Sequence, residues 1–189
     1  MNNKEFFNSV AYKWDDMCHH SDSKIRKIIN LSYIKEGAKI LDIGTGTGIL
    51  ISYLLEKYPK EIVALDIAEN MIEVAKSKYK EENLRFVVND ILDFTEGDFD
   101  YIFIYSAYPH FPNKDKLINH LSKLLKSGGK LIIAHSDSKE KINKIHANKE
   151  EVKEDRLLPA VENAKTINRY LNVDKIIDNE EMYYISSVL

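Results

Sequence analysis

Apolar residues fall at three- and four-residue intervals from Lys4 to His19, at Phe6, Phe7, Val10, Trp14, Met17 and Cys18, and predict one amphipathic helix. Ile25, Ile28, Ile29 and Tyr33 repeat the period and predict a second helix from Asp22 to Ile34. Asp22 can cap its start, and Gly37 ends the region. Beyond Gly37 the pattern changes. Short apolar runs at Lys39 to Ile43, Glu61 to Asp66, Leu84 to Val88, Phe99 to Tyr105 and Lys130 to His135 read as strands. Thr47 to Lys57, Glu69 to Lys78 and Lys114 to Lys126, which lie between them, carry helical spacing. Alternation of this kind predicts an α/β fold, with right-handed crossovers and a mostly parallel sheet covered by helices on both faces. Ser127-Gly128-Gly129 reads as the turn into the fifth strand. Two more helices, Asp137 to Ala147 and Pro159 to Leu171, lead to runs at Val173 to Asp178 and Glu181 to Leu189. With only Asn179-Glu180 between them, these two runs must pair as an antiparallel hairpin, because a parallel pair needs a crossover of a dozen residues.

A length of 189 residues suits one domain, 1–189, better than two. Apolar residues at 44% and charged residues at 30% are those of a globular chain. A formal net charge of -3 argues against a broad surface for nucleic acid. No run approaches the roughly 18 apolar residues of a membrane span. The start carries Lys4 and Glu5 and lacks a signal-peptide core, and Cys18 is the only cysteine. The expected setting is therefore cytoplasmic, as a monomer or homodimer.

Chemistry concentrates first at Asp42-Ile43-Gly44-Thr45-Gly46-Thr47-Gly48, where a strand ends and a helix is expected to begin. An open parallel sheet binds nucleotides at such a place. Gly44 and Gly46 let the backbone turn and approach a ligand, and Gly48 lets the next helix lie against the strand. Ile49 stands where a dinucleotide fingerprint would have its third glycine, so the spacing disfavours a nicotinamide or flavin. Asp66 ends the second strand 20 residues after Gly46, where a carboxylate can accept from both ribose hydroxyls of an adenosine. Asp90, in Asn89-Asp90-Ile91 after the third strand, can accept from an adenine amine while Ile91 packs on the ring.

In order and spacing, Ile40 to Gly48, Ala64-Leu65-Asp66-Ile67-Ala68-Glu69-Asn70-Met71 and Asn89-Asp90-Ile91 closely resemble the class I S-adenosylmethionine-dependent methyltransferases. The resemblance is specific from about Ala38 to His135. It implies a Rossmann-like seven-stranded sheet of order 3-2-1-4-5-7-6 with the last strand antiparallel. It also implies S-adenosylmethionine as cofactor and S-adenosylhomocysteine as product. Asp42, Gly44, Thr45, Gly46 and Gly48 would face its amino acid part, Asp66 its ribose, Asp90 and Ile91 its adenine, with Met71 over the ring and Ile67 and Tyr105 also among the cofactor-binding residues. Phe6 to Asp15 resembles the opening segment of the ubiquinone and menaquinone methyltransferases, small-molecule enzymes, and residues 1–36 would form a helical segment covering the cofactor site. Tyr105 to Pro112 replaces the Arg-Asn pair of those quinone enzymes, and the Asn/Asp-Pro-Pro-Tyr signature of enzymes acting on amino nitrogens is absent.

The acceptor should lie beyond the carboxyl ends of the fourth and fifth strands, near Tyr105 to Phe111 and His135 to Ser138. His110 and His135 are the candidate general bases, with Tyr105 beside them. The plainer readings are that His110 stabilises the proline-rich turn and His135 caps the next helix. His110, His135 and His146 match no metal-ligand spacing, so no metal is expected. Tyr12, Trp14 and Asp15 suit a lid, or Trp14 packs the first helix on the sheet. His19 and His20 suit a helix C-terminus, Cys18 a small buried hydrophobe, and Lys139 to Lys153 a solvated helical face. With no appended module for a macromolecule, the expected reaction is methyl transfer to a small-molecule acceptor. The alternatives are an RNA or protein methyltransferase and a non-catalytic S-adenosylmethionine-binding protein.

Overall fold

The computed structural model describes residues 2–189; Met1 lies outside them. Five strands form its parallel part: β1 (Lys39–Ile43), β2 (Glu61–Asp66), β3 (Leu84–Val88), β4 (Phe99–Tyr105) and β5 (Leu125–His135). A hairpin of β6 (Asn172–Asp178) and β7 (Tyr183–Val188) completes a sheet of order β3-β2-β1-β4-β5-β7-β6. β7 runs antiparallel to both β5 and β6. The hairpin loop has four residues, not the expected two, because the Asn179 side chain accepts from the backbone N–H groups of Glu181 and Met182 and closes the turn before pairing resumes.

Strand alternation sends two sets of side chains to opposite faces. Leu41, Ile43, Ile102, Ile104, Leu131 and Ile133 pack with α6 (Lys114–Leu124) and α8 (Ala160–Ile167). Ile40, Ile62, Phe103 and Ile132 pack with α3 (Asp22–Leu31) and α4 (Ile51–Leu55). Burying each such aliphatic side chain stabilises the fold by roughly 1.5–3 kcal/mol, so both faces hold the strand ends, and the loops leaving them, in place. Among the described residues no helix is long and apolar enough to cross a membrane.

Six further elements depart from the sequence expectations at their boundaries, each for a local reason. The single helix expected over Lys4 to His19 is α1 (Asn3–Val10), a 3-10 turn (Ala11–Lys13) and α2 (Trp14–Met17). Ala11 is buried against Ala68 and Met71, which bends the chain there. α3 stops at Leu31 because Tyr33 has φ +51°. The helix expected from Thr47 begins only at Ile51, since Gly44, Gly46 and Gly48 all have positive φ and Tyr58, at φ +52°, ends it. β5 already starts at Leu125, which pairs with Phe99, and Ser127-Gly128-Gly129 bulges out before Lys130 pairs with Tyr101. A Cβ on Gly129 would lie 2.8 Å from the Lys126 carbonyl oxygen. α6 accordingly ends at Leu124, and α8 is shorter than expected, starting after Pro159 with its first N–H on the Asp178 carboxylate at 2.8 Å.

Candidate functional site

One cavity of about 700 Å³ opens at the carboxyl ends of β1, β2, β4 and β5. Its first wall is the turn after β1 together with the ends of β2 and β3. Gly44 has φ +66°, and a Cβ there would lie 2.7 Å from that of Ala107, so only glycine lets this turn touch the loop after β4. The Gly46 backbone N–H donates to Asp66 Oδ2 at 2.8 Å, and that of Ala68 donates to Oδ1 at 2.9 Å. Burial raises the Asp66 pKa, and these N–H groups oppose the rise. Asp42 lies behind the turn and does not line the cavity; it accepts from Thr45 Oγ1 at 2.7 Å, and burial pushes its carboxyl up to about 7. Gly48 is also behind the wall: at φ +90°, its missing Cβ leaves room for the Tyr79 ring and for Ile51, the first residue of α4. Thr45, Gly46, Asp66, Ile67, Met71, Asp90 and Ile91 do face the cavity.

The wall fits S-adenosylmethionine on its own geometry. A Cβ on Gly46 would project into space whose nearest side-chain atom is Trp14 Nε1 at 4.0 Å, which makes the backbone there a cradle. A carboxylate has about four acceptor positions; Asp66 commits two to backbone N–H groups and keeps others for two ribose hydroxyls. Asp90 Oδ1 accepts from the Leu92 N–H at 2.9 Å, which leaves Oδ2 for an adenine amine beside the buried face of Ile91.

The N-terminal segment roofs this wall. Asp15 accepts from Thr47 Oγ1 and from Lys78 Nζ, and Asn8 accepts, at its side-chain oxygen and its backbone carbonyl, from the backbone N–H and the side-chain amide of Asn70, the second residue of α5 (Glu69–Lys78). Asn3 Nδ2 donates to the His110 carbonyl at 3.0 Å. Only the segment as far as His20 reaches the cavity; α3 packs beneath the sheet, so the cover is shorter than residues 1–36. Phe7 and Trp14 line the cavity and meet edge to face at 5.6 Å, so Trp14 serves roof and packing together. Tyr12 points outward to Glu73 and is no part of the wall. Cys18 is half-buried at the cavity edge.

The opposite wall comes from the loop after β4, the end of β5 and the stretch through α7 (Lys139–Ala147) to Val152. Ser106 holds φ +54°, a strained conformation for a residue with a Cβ. Tyr105 donates its hydroxyl proton to Ser136 at 2.9 Å while His20 Nδ1 lies 2.8 Å from the same oxygen, and burial pushes the phenol up to about 12. His20 is therefore a cavity residue engaged by a side chain, not one lying on a helix dipole. His110 lines the cavity with its Nδ1 2.7 Å from Asp155 Oδ2. Lys114 Nζ ties this loop by donating to the carbonyls of Tyr108, Pro109 and Phe111.

His135 is elsewhere. It is 1% exposed, does not line the cavity, and its two ring nitrogens have no hydrogen-bond partner among the described residues. Burial holds its pKa down to about 3, so it stays neutral and out of contact with any acceptor. Strand parity explains this: residue 135 falls on the same face as Leu131 and Ile133, which α6 and α8 cover. The stretch 139–153 is likewise not simply a solvated face, because Ile142, Ile145 and His146 turn toward the cavity and Val152 is buried. Among the described residues, no group of three or more His, Cys, Asp or Glu side chains is placed to hold a metal.

Residues 34–186 match the family described as a methyltransferase domain. The phosphoethanolamine N-methyltransferase of Plasmodium falciparum is 32% identical over 170 residues, 87% of this chain and 64% of that protein. The demethylmenaquinone methyltransferase of Thermus thermophilus is 34% identical over 113 residues, 57% of this chain and 51% of that protein. The chain thus spans less than two thirds of the length of these curated relatives. Among solved structures, a chain of the Haloferax volcanii complex between the Trm112 methyltransferase activator and a methyltransferase superposes with a TM-score of 0.81 at 19% identity, covering 96% of each chain. Phosphoethanolamine N-methyltransferase 2 of Haemonchus contortus in complex with S-adenosyl-L-methionine gives a TM-score of 0.77 at 16% identity, covering 98% of this chain and 58% of that one. With the sheet order, the glycine cradle and the match over 34–186 in agreement, this chain belongs to the S-adenosylmethionine-dependent methyltransferase domain family.

Proposed function

We propose that this protein transfers the methyl group of S-adenosylmethionine to a small-molecule acceptor held between the two walls. When bound, the cofactor supplies a methyl group already activated on a sulfonium sulfur. The chain's own residues have then to bind, align and keep water out, and positioning supplies most of the acceleration. Asp66 and Asp90 hold the nucleoside. The roof of Phe7, Trp14 and Met17 shields the reacting centre, and Tyr105, His20 and His110 border the acceptor.

The observation that carries this reading is the enclosure of the cavity: residues 2–20 close over the glycine turn and reach the loop after β4 through Asn3. A roofed space of about 700 Å³ suits a small molecule beside the cofactor. Among the described residues the rim mixes signs, with Lys4 paired to Glu69 and Lys141 to Asp137, rather than forming a continuous basic track for RNA. The relatives named for phosphoethanolamine and for demethylmenaquinone support an acceptor of this size. The test is release of S-adenosylhomocysteine from S-adenosylmethionine with a library of small hydroxyl, thiol and amine compounds, set beside RNA and protein fractions. Turnover with a library member supports the reading; turnover with RNA or protein alone overturns it.

A further inference from the structure

Asp155 lies on the loop beyond α7, 45 residues from His110 in sequence, yet it binds two histidines. Its carboxylate oxygen Oδ2 is 2.7 Å from His110 Nδ1, and its backbone carbonyl accepts from His146 Nδ1. A carbonyl has no proton to give, so His146 carries hydrogen on Nδ1. Burial alone would raise the Asp155 carboxyl, but the His110 hydrogen bond and the charges of His110, His146 and Lys114 outweigh it and keep it below the ordinary range. An ionised carboxylate only accepts, so His110 too carries its hydrogen on Nδ1. The two imidazoles lie 5.0 Å apart and tilted by 35°, and Phe7 meets the His110 ring edge to face at 5.0 Å. His110 is thus held from three sides.

We propose that Asp155 is a positioning residue: it fixes His110 in the tautomer that leaves Nε2 unprotonated as the base for the acceptor. This rests on the methyl-transfer reading above and names the acceptor class, a hydroxyl or thiol that must lose its proton. In the step, the acceptor's oxygen or sulfur forms a bond to the methyl carbon as the methyl–sulfur bond breaks. That electron pair stays on the departing sulfur, which becomes a neutral thioether. The acceptor's proton passes to His110 Nε2, giving an imidazolium whose charge Asp155 balances. The charged or titratable groups around His110 are Asp155 and His146 from the α7 side, Lys114 on α6, His135 on β5 and Asp66 on β2. Among the described residues only Asp155 is hydrogen-bonded to the ring.

The experiment is nitrogen-15 NMR of the histidine rings in the full chain, recorded at about pH 8.5, where imidazoles are neutral. The His110 resonances are assigned with His110→Gln. The expected result is an Nδ1–H tautomer for His110 in the wild type. It should be kept in Asp155→Asn, whose amide oxygen can still accept, and lost in Asp155→Ala, where the ring reverts to the Nε2–H form usual in water. An Nε2–H tautomer in the wild type, or Nδ1–H persisting in Asp155→Ala, overturns the proposal. The wild-type spectrum decides even if the alanine variant fails to fold. Calorimetric titration of the same samples with S-adenosylhomocysteine reports separately on the cofactor site, so a failure there is distinguishable from a failure of the His110–Asp155 pair.

Discussion

The cavity's two walls are built by different means. The donor wall is mostly backbone at strand ends: Gly46 and Ala68 give their N–H groups to Asp66, and Leu92 gives its N–H to Asp90. The acceptor wall is mostly side chains on loops, with His20 meeting Tyr105 across 85 residues and His110 meeting Asp155 across 45. A wall made of backbone accepts one ligand shape and changes only with the fold. One made of loop side chains can be refitted to another acceptor without disturbing the sheet.

The comparison predicts that damage on the acceptor wall strikes rate and damage on the donor wall strikes binding and stability. The largest effect is expected for His110→Gln. With a small-molecule substrate found as above, turnover should fall on the order of 10²–10⁴-fold, while S-adenosylhomocysteine affinity measured by calorimetry changes less than about twofold. An equal loss in affinity would merge the two walls into one.

Gly44→Val should do the reverse. It places a branched side chain at φ +66° and against Ala107, so it should cost on the order of 2–4 kcal/mol of stability in chemical denaturation. Retained stability would mean that the turn is not pressed on the loop after β4.

Asp42 adds a pH signature confined to the donor wall. Its folded pKa, about 7, lies above the unfolded carboxylate value, so the folded state holds the proton more tightly. The stabilisation is complete below about pH 4 and is lost as pH rises through about 7. Asp42→Asn, which cannot ionise, should therefore gain on the wild type in thermal midpoint between pH 4 and 8. A constant difference across that range would contradict a buried, raised carboxyl. The smallest effect is expected at the roof: Asp15→Ala removes a half-exposed contact to Lys78 and Thr47 and should weaken S-adenosylhomocysteine binding by about 0.5–1 kcal/mol, read by calorimetry.

The same division explains what could be read in the sequence. Gly44, Gly46, Asp66, Asp90 and Ile91 were legible because strand periodicity fixes where a parallel strand ends, and the ligand crevice follows from that. The hairpin was legible from the short connection between its two runs, and the sheet order from the resemblance to the methyltransferases. His20 and Asp155 carry no such signal, since each is placed by a loop whose path depends on contacts far away in the chain. The bend at Ala11 was hidden too: the residues Ala11-Tyr12-Lys13 contain no breaker, and docking on Met71 makes the turn. His135 was readable after all. Counting by twos from Leu131 puts it on the covered face, away from the crevice.

On the methyl-transfer reading, the backbone-held carboxylate at the end of β2, Asp66, grips the cofactor's ribose. Calorimetric titration of S-adenosylhomocysteine into wild type and Asp66→Ala tests it most directly. The expected result is saturable one-to-one binding to the wild type and a loss on the order of 1–3 kcal/mol in the variant. Equal affinities in the two proteins, or no binding to the wild type, would contradict it.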